Sequence, residues 1–206
     1  MKRLVFSLAS ILMALMAVTS LNVYADGDPT AGESKVAVCA ACHGADGNSA
    51  IGSNPKLAGQ NERYTLKQLL DVKSGARSIA MMTGLLDNFN DQDLADIAAF
   101  YASKEVTVNG ANPDLIELGQ RIYRGGVEEL GVAACSACHS PDGSGVTQAG
   151  FPALGGQHAE YILTQMKAFR SGTRNNDGES APMRIVAERL TDAEIEALAS
   201  YISGLN

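Results

Sequence analysis

The chain has 206 residues, 19% charged and 46% hydrophobic, with a formal net charge of −7 and no tryptophan. An acidic balance of this kind excludes nucleic acid as a partner and gives no electrostatic attraction to anionic lipid, while it permits docking to a basic patch on another protein. The length admits a leader followed by one or two modest domains.

In chain order, Lys2 and Arg3 come first, an apolar run extends from Leu4 to Val18, and Val23-Tyr24-Ala25 offers small residues for cleavage after Ala25. This predicts a Sec-type signal peptide over residues 1–25 and export to a bacterial periplasm. A membrane anchor is the weaker reading, because Ser7, Ser10, Thr19 and Ser20 dilute a run already near the lower length limit for spanning. Cleavage removes two basic residues and no acidic one, so the mature chain carries −9.

Two copies of Cys-x-x-Cys-His follow, Cys39-Ala40-Ala41-Cys42-His43 and Cys135-Ser136-Ala137-Cys138-His139, and they use every cysteine and two of the three histidines. The spacing is that of a c-type haem attachment site, in which two thiols add across the haem vinyl groups and the adjacent imidazole ligates iron. Two disulfides explain neither the histidine after each pair nor the recurrence of the pentapeptide. A single shared zinc leaves two of six ligands idle. A thioredoxin-like pair belongs in a βαβ unit, and the sequence has no such strand pattern. Two covalently attached haem c groups are therefore expected, one on Cys39 and Cys42 and one on Cys135 and Cys138, with His43 and His139 as iron ligands.

The rest of the chain reads as one unit written twice. Gly32 matches Gly119, and Asp46-Gly47 matches Asp142-Gly143. Pro55-x-Leu57-x-Gly59-Gln60 matches Pro152-x-Leu154-x-Gly156-Gln157, and Tyr64, Gln68, Gly75 and Arg77 match Tyr161, Gln165, Gly172 and Arg174. Helices are predicted over 62–74 and 159–171, each stopped by a glycine. The last helix of each unit begins at a cap, Asn90 with Asp93 and Thr191 with Glu194. Behind those caps Leu94, Ile97, Ala98 and Tyr101, and likewise Ile195, Leu198, Ala199 and Ile202, fall on one helical face. The fold class is all-α, with domains at 26–103 and 114–206. Residues 104–113, with Asn109-Gly110 and Asn112-Pro113, read as a linker. Residues 44–59 and 140–156 read as irregular loops around a flat cofactor.

The register also picks a sixth ligand in each unit. Met82 lies seven residues before Phe89, and Met183 lies seven before Leu190, so each is expected to be delivered by a loop immediately upstream of the last helix. A histidine and a thioether together saturate the metal and suit electron transfer. Met81 is the neighbouring rival in the first unit. Met166 reads as helix core, and His158, with Asn61 in its place in the first unit, reads as a surface or capping residue.

With the leader, the tandem motifs, Lys56-Leu57-Ala58-Gly59-Gln60, Ala153-Leu154-Gly155-Gly156-Gln157, Met82-Thr83-Gly84 and Ala181-Pro182-Met183 all in view, the mature chain resembles the dihaem cytochrome c4 family. The resemblance implies two tandem class I cytochrome c domains, ligand pairs His43/Met82 and His139/Met183, and haem edges that approach each other across the domain interface. It also implies that the carbonyls of Pro55 and Pro152 accept a hydrogen bond from the ligand histidines. Two features depart from the pattern. Cys135 lies sixteen residues after Gly119 whereas Cys39 lies seven after Gly32, so Arg124 to Val132 is an insertion, free to meet the other domain or a partner. The missing tryptophan leaves Arg77, Arg174, Tyr64 and Tyr161 as candidates for haem propionates, or equally as helix-end and core residues.

The expected function is a periplasmic electron carrier, not an enzyme. Its partners are expected to be redox proteins, a membrane-bound donor complex and a terminal oxidase or similar acceptor, with peripheral membrane association left open. The alternative is a dihaem peroxidase-type enzyme, which needs a vacant or displaceable iron ligand, as a gas sensor also does. Arg174, Asp177, Glu179 and Arg184 surround Met183 whereas residues 78–86 are uncharged, so two distinguishable potentials are expected.

Overall fold

A computed structural model describes residues 26–206; the expected signal peptide lies outside them. Among the described residues the structure is helical, with only two isolated β-bridges, Val127 to Val132 and Val146 to Phe151. No helix among them is long and apolar enough to cross a membrane.

The first half contains α1 (Pro29–Glu33), α2 (Ala37–His43), α3 (Glu62–Ser74) and α4 (Asp91–Ala102). The second contains α5 (Pro113–Gly125), α6 (Ser136–His139), α7 (Ala159–Ser171), α8 (Pro182–Glu188) and α9 (Asp192–Ser203). Local chemistry accounts for the boundaries. Asp28 and Asn112 cap α1 and α5 with their side chains, each followed by proline at the first helical position, where a missing N–H costs nothing. Asn112-Pro113, the end of the sequence-defined linker, is thus a helix start. Both α4 and α9 carry complete capping boxes. Both α3 and α7 stop at glycines in the left-handed region, Gly75 at φ +80° and Gly172 at φ +74°.

The last helix of each half is the hub. α4 packs against α1 and α3, and α9 packs against α5 and α7. At each crossing a glycine lets backbones touch. A Cβ on Gly32 would sit 2.1 Å from the Asp96 carbonyl oxygen, and one on Gly119 would sit 2.3 Å from that of Ala197. The two cores are separate clusters, one around Val36, Leu94, Ile97 and Tyr101, the other around Tyr123, Ile195, Leu198 and Ile202. The buried tyrosine changes helix between them: Tyr101 on α4 faces Val36, whereas Tyr123 on α5 is matched by Ile202 on α9. The exchange keeps core volume roughly constant, which is the substitution pattern that cores tolerate best.

The halves meet through reciprocal polar contacts. Gln60 donates to the Ala153 carbonyl and accepts from the Ala153 N–H (2.9 and 2.8 Å). Gln157 does the same with Lys56 (2.9 and 2.8 Å). Arg77 donates to Gln68 of its own domain and to Tyr161 and Gln165 of the other; Arg174 donates to Gln165 of its own and to Tyr64 and Gln68 of the other. Exchanging the domains exchanges each of these partners; Arg174 adds a bond to Asn176 in its own domain. The linker lies in the same seam, its Thr107 held by Asn48 and by the buried Lys56.

Candidate haem sites

Each Cys-x-x-Cys-His motif forms a short helix that ends on its histidine, α2 at His43 and α6 at His139. No disulfide joins the four cysteines, and among the described residues no three His, Cys, Asp or Glu side chains converge to hold a metal ion. The disulfide and shared-zinc alternatives therefore have no geometry to support them. Cys42 and Cys138 are exposed, while Cys39 and Cys135 lie half-buried against the two cores. Burial pushes both inner thiols up, Cys135 to about 11.

The histidines are oriented alike. His43 Nδ1–H donates to the Pro55 carbonyl at 2.9 Å, and His139 Nδ1–H donates to that of Pro152 at 3.0 Å. A carbonyl only accepts, so the proton is on Nδ1 and the Nε2 lone pair is free in both rings. Burial lowers the pKa of each imidazole and the proline hydrogen bond only partly offsets it, so both rings are neutral near pH 7. A neutral ring with a fixed tautomer and a free Nε2 is what a metal ligand needs.

The methionines are presented differently. Met82 ends a 3-10 turn (Ala80–Met82) and packs against the first core, while Met81 beside it is 82% exposed. That exposure argues for Met82 over Met81 as the inward residue, as the register suggests. Met183 lies at the second position of α8, a regular helix where the sequence suggests a loop. Pro182 at the first helical position starts that helix. Met166 packs in the second core.

Haem suits these surroundings on a further ground. The Tyr101 hydroxyl is buried against the Cys39 thiol and reaches no nitrogen or oxygen partner, as in a site completed by another group. Tyr123 in the second domain instead donates to the Ser140 carbonyl at 2.7 Å.

Other residues have different tasks from those the sequence suggests. Arg77, Arg174, Tyr64 and Tyr161 engage one another across the seam. Burial pushes the Tyr64 phenol up, but the Arg174 and Arg77 guanidiniums outweigh it and hold the phenol below its ordinary range. His158 is an interdomain strut rather than a surface residue: Nε2–H donates to the Ser49 carbonyl at 2.8 Å and Nδ1 accepts from Asn109. Its counterpart Asn61 likewise reaches across, to the Phe151 carbonyl at 2.6 Å. The sequence shows Arg77 with Arg174 and Tyr64 with Tyr161 at equal offsets, but not that they engage across the two units.

The cytochrome c family model matches residues 31–104 and 116–206. The chain is 52% identical over 199 residues to cytochrome c4 of Pseudomonas aeruginosa, covering 97% of this chain and 98% of that one. It is 50% identical over 204 residues to cytochrome c4 of Azotobacter vinelandii, covering 95% and 97%. The crystal structure of reduced recombinant cytochrome c4 from Pseudomonas stutzeri superposes with a TM-score of 0.86 at 51% identity, over 87% of this chain and 100% of that one.

Proposed function

The chain belongs to the cytochrome c family and, within it, to the dihaem cytochromes c4, and from that premise we propose that it is a periplasmic shuttle that takes electrons from a membrane-bound respiratory donor to a terminal oxidase or similar acceptor. It is an electron-transfer protein carrying two covalent haem c groups. In the proposed assignment Cys39 and Cys42 attach one haem and Cys135 and Cys138 the other, within domains at 26–103 and 114–206 joined by 104–113. His43 with Met82 would hold one iron and His139 with Met183 the other. The carrying observation is the repeated histidine geometry, two neutral rings whose Nδ1–H groups are satisfied by Pro55 and Pro152 and whose Nε2 atoms are free.

Each bound haem supplies a one-electron ferric/ferrous couple, so the chain holds up to two electrons. The residues around it do the rest. Two fixed imidazoles and two thioethers would keep small oxidants off the iron and favour the reduced state. The reciprocal contacts of Gln60, Gln157, Arg77 and Arg174 fix one domain against the other, so the path between the sites does not change from one encounter to the next. The acidic surface suits a basic face on a partner, and the exposed Val38, Ile51, Met81 and Leu85 give the first domain apolar contact area.

The test is the optical spectrum of the purified protein with haem quantification. Two haems per chain, the methionine–iron charge-transfer band at the red edge of the visible at two-site intensity, and no carbon monoxide binding to the reduced protein at neutral pH are expected. Ready carbon monoxide binding overturns the saturated-carrier reading.

A further inference from the structure

The two methionines are held by different means. Asp177 pins the first turn of α8: one carboxylate oxygen accepts the Met183 N–H at 3.1 Å and the Arg184 N–H at 3.0 Å, and the other accepts Arg184 Nε at 2.7 Å. Arg184 reaches on to the Gly178 carbonyl at 2.9 Å, which closes the segment on itself. The Asp177 side chain is 4% exposed, so water hardly competes for these bonds.

Met82 packs against the first core but has no such side-chain hydrogen bonds to its turn. Its turn is capped by Ile79, which supplies no side-chain hydrogen bond. Among the described residues, the backbone from 78 to 88 is held by local backbone bonds, such as Met82 N–H to Ile79 and Leu85 N–H to Met82, and by no side chain. Met82 also lines an open cleft of about 360 Å³ with Ile79, Thr83 and Gly84. Sequence length explains the difference. Met82 follows Arg77 by five residues whereas Met183 follows Arg174 by nine, and Asp177 sits in the added segment.

We infer that Asp177 is a positioning residue that locks Met183 in place, and that an external nitrogen ligand displaces Met82 before Met183. The inference rests on the proposed reading of these methionines as iron ligands. The step is an exchange in which a sulfur–iron bond breaks, a nitrogen–iron bond forms and no electron moves.

Imidazole titrated into the oxidised holoprotein tests it through the methionine–iron band. The band is expected to fall in two equal steps separated by about tenfold or more in imidazole, the scale of losing charge-assisted hydrogen bonds. Met82→Ala, which begins with half the band, lacks the first step and so assigns it. Asp177→Asn draws the second step toward the first, and Asp177→Glu restores part of the gap. A single step in the unmodified protein, Met183 yielding first, or an unmoved second step in Asp177→Asn overturns the inference. If Asp177→Asn does not load haem, the order of the two steps in the unmodified protein decides alone. Failure of the ligand assignment looks different: the band is below two-site intensity before any imidazole is added.

Discussion

In the N-terminal domain α1 is tied to α4 by a buried carboxylate and its ion pairs, whereas in the C-terminal domain α5 meets α9 chiefly through apolar packing, with the Ser200 hydroxyl and a bond from Arg124 to the Tyr201 hydroxyl at 3.1 Å beside it. Asp96 on α4 is buried, accepts the Asp28 N–H at 2.9 Å and pairs with Lys35, which also reaches Asp93 at 2.8 Å. The position that corresponds to Asp96 on α9 is Ala197, fully buried, and Ser200 there accepts the Asn112 N–H at 2.9 Å. Helix length accounts for the difference. α1 has five residues and buries only Gly32, too little apolar surface to hold it, while the thirteen residues of α5 bury Ile122 and Tyr123 as well as Gly119. A short helix is fixed by directed bonds where a long one is fixed by area.

The largest expected effects test what the domains share. Gly32→Val and Gly119→Val each drive a side chain into the carbonyl of the opposing helix, and a backbone oxygen cannot rotate away. Each is expected to cost about 3 kcal/mol or more and to lower haem loading toward one per chain, read by haem quantification. Normal loading in either variant breaks the equivalence of the crossings. One step smaller are Gln60→Ala and Gln157→Ala, each removing two interdomain bonds and leaving a backbone N–H and carbonyl unpaired, those of half-buried Ala153 and of buried Lys56, about 1–3 kcal/mol apiece. Equal losses are expected, with thermal unfolding separating into two transitions in the double variant. A marked inequality means that the seam is not reciprocal in energy.

Asp96 sharpens the contrast. Burial works against its charge, but the Asp28 N–H, Lys35 and Gln92 outweigh it and hold the carboxyl down to about 2. In the unfolded chain the group titrates near its ordinary value of about 3.9. Its pKa is depressed on folding, so its contribution is complete above about pH 4 and lost as pH falls through about 2. Amide exchange followed across that window should show α1 and α4 opening before α5 and α9. Asp96→Asn should cost about 1.5–3 kcal/mol near neutrality, the range for hydrogen bonds to a charged group, and flatten the acid response of the first domain alone. Parallel acid opening of both domains removes Asp96 as the cause.

Much of this was legible in the chain because it is local. The bounds of α3 and α7 follow from helical periodicity and a terminal glycine, and the caps of α4 and α9 from four residues each. The histidine, cysteine and methionine positions follow from a motif and its repeat. What sequence did not disclose depends on three-dimensional partners. Arg77 and Arg174 repeat faithfully, but repetition says only that a residue matters twice, not that its partner is in the other copy. The helical setting of Met183 was hidden for a similar reason, since seven residues are too few to show a period and the Asp177 cap precedes the helix start by several residues.

The smallest expected effect concerns the feature with no counterpart in the first domain, the insertion from Arg124 to Val132. Its hydrogen bonds stay within its own domain. Val127 and Val132 exchange backbone hydrogen bonds at 2.9 and 3.0 Å, and Arg189 donates to the Leu130 and Gly131 carbonyls at 3.1 and 2.9 Å. Gly126 lets the loop fold back: it has φ +74°, and a Cβ there would lie 2.2 Å from the Val132 oxygen. Val132 itself is buried in the second core. The turn is therefore fixed by its own backbone and by two apolar anchors, buried Val132 and half-buried Val127, and Arg189, exposed at the rim, only closes its outer edge. Arg189→Ala should cost no more than about 0.5 kcal/mol and speed amide exchange at Leu130 and Gly131 without affecting Val132. Val132→Ala should cost several times as much. If Arg189→Ala instead releases the whole loop, the insertion is held by charge after all, and the second domain resembles the first more closely than its helices indicate.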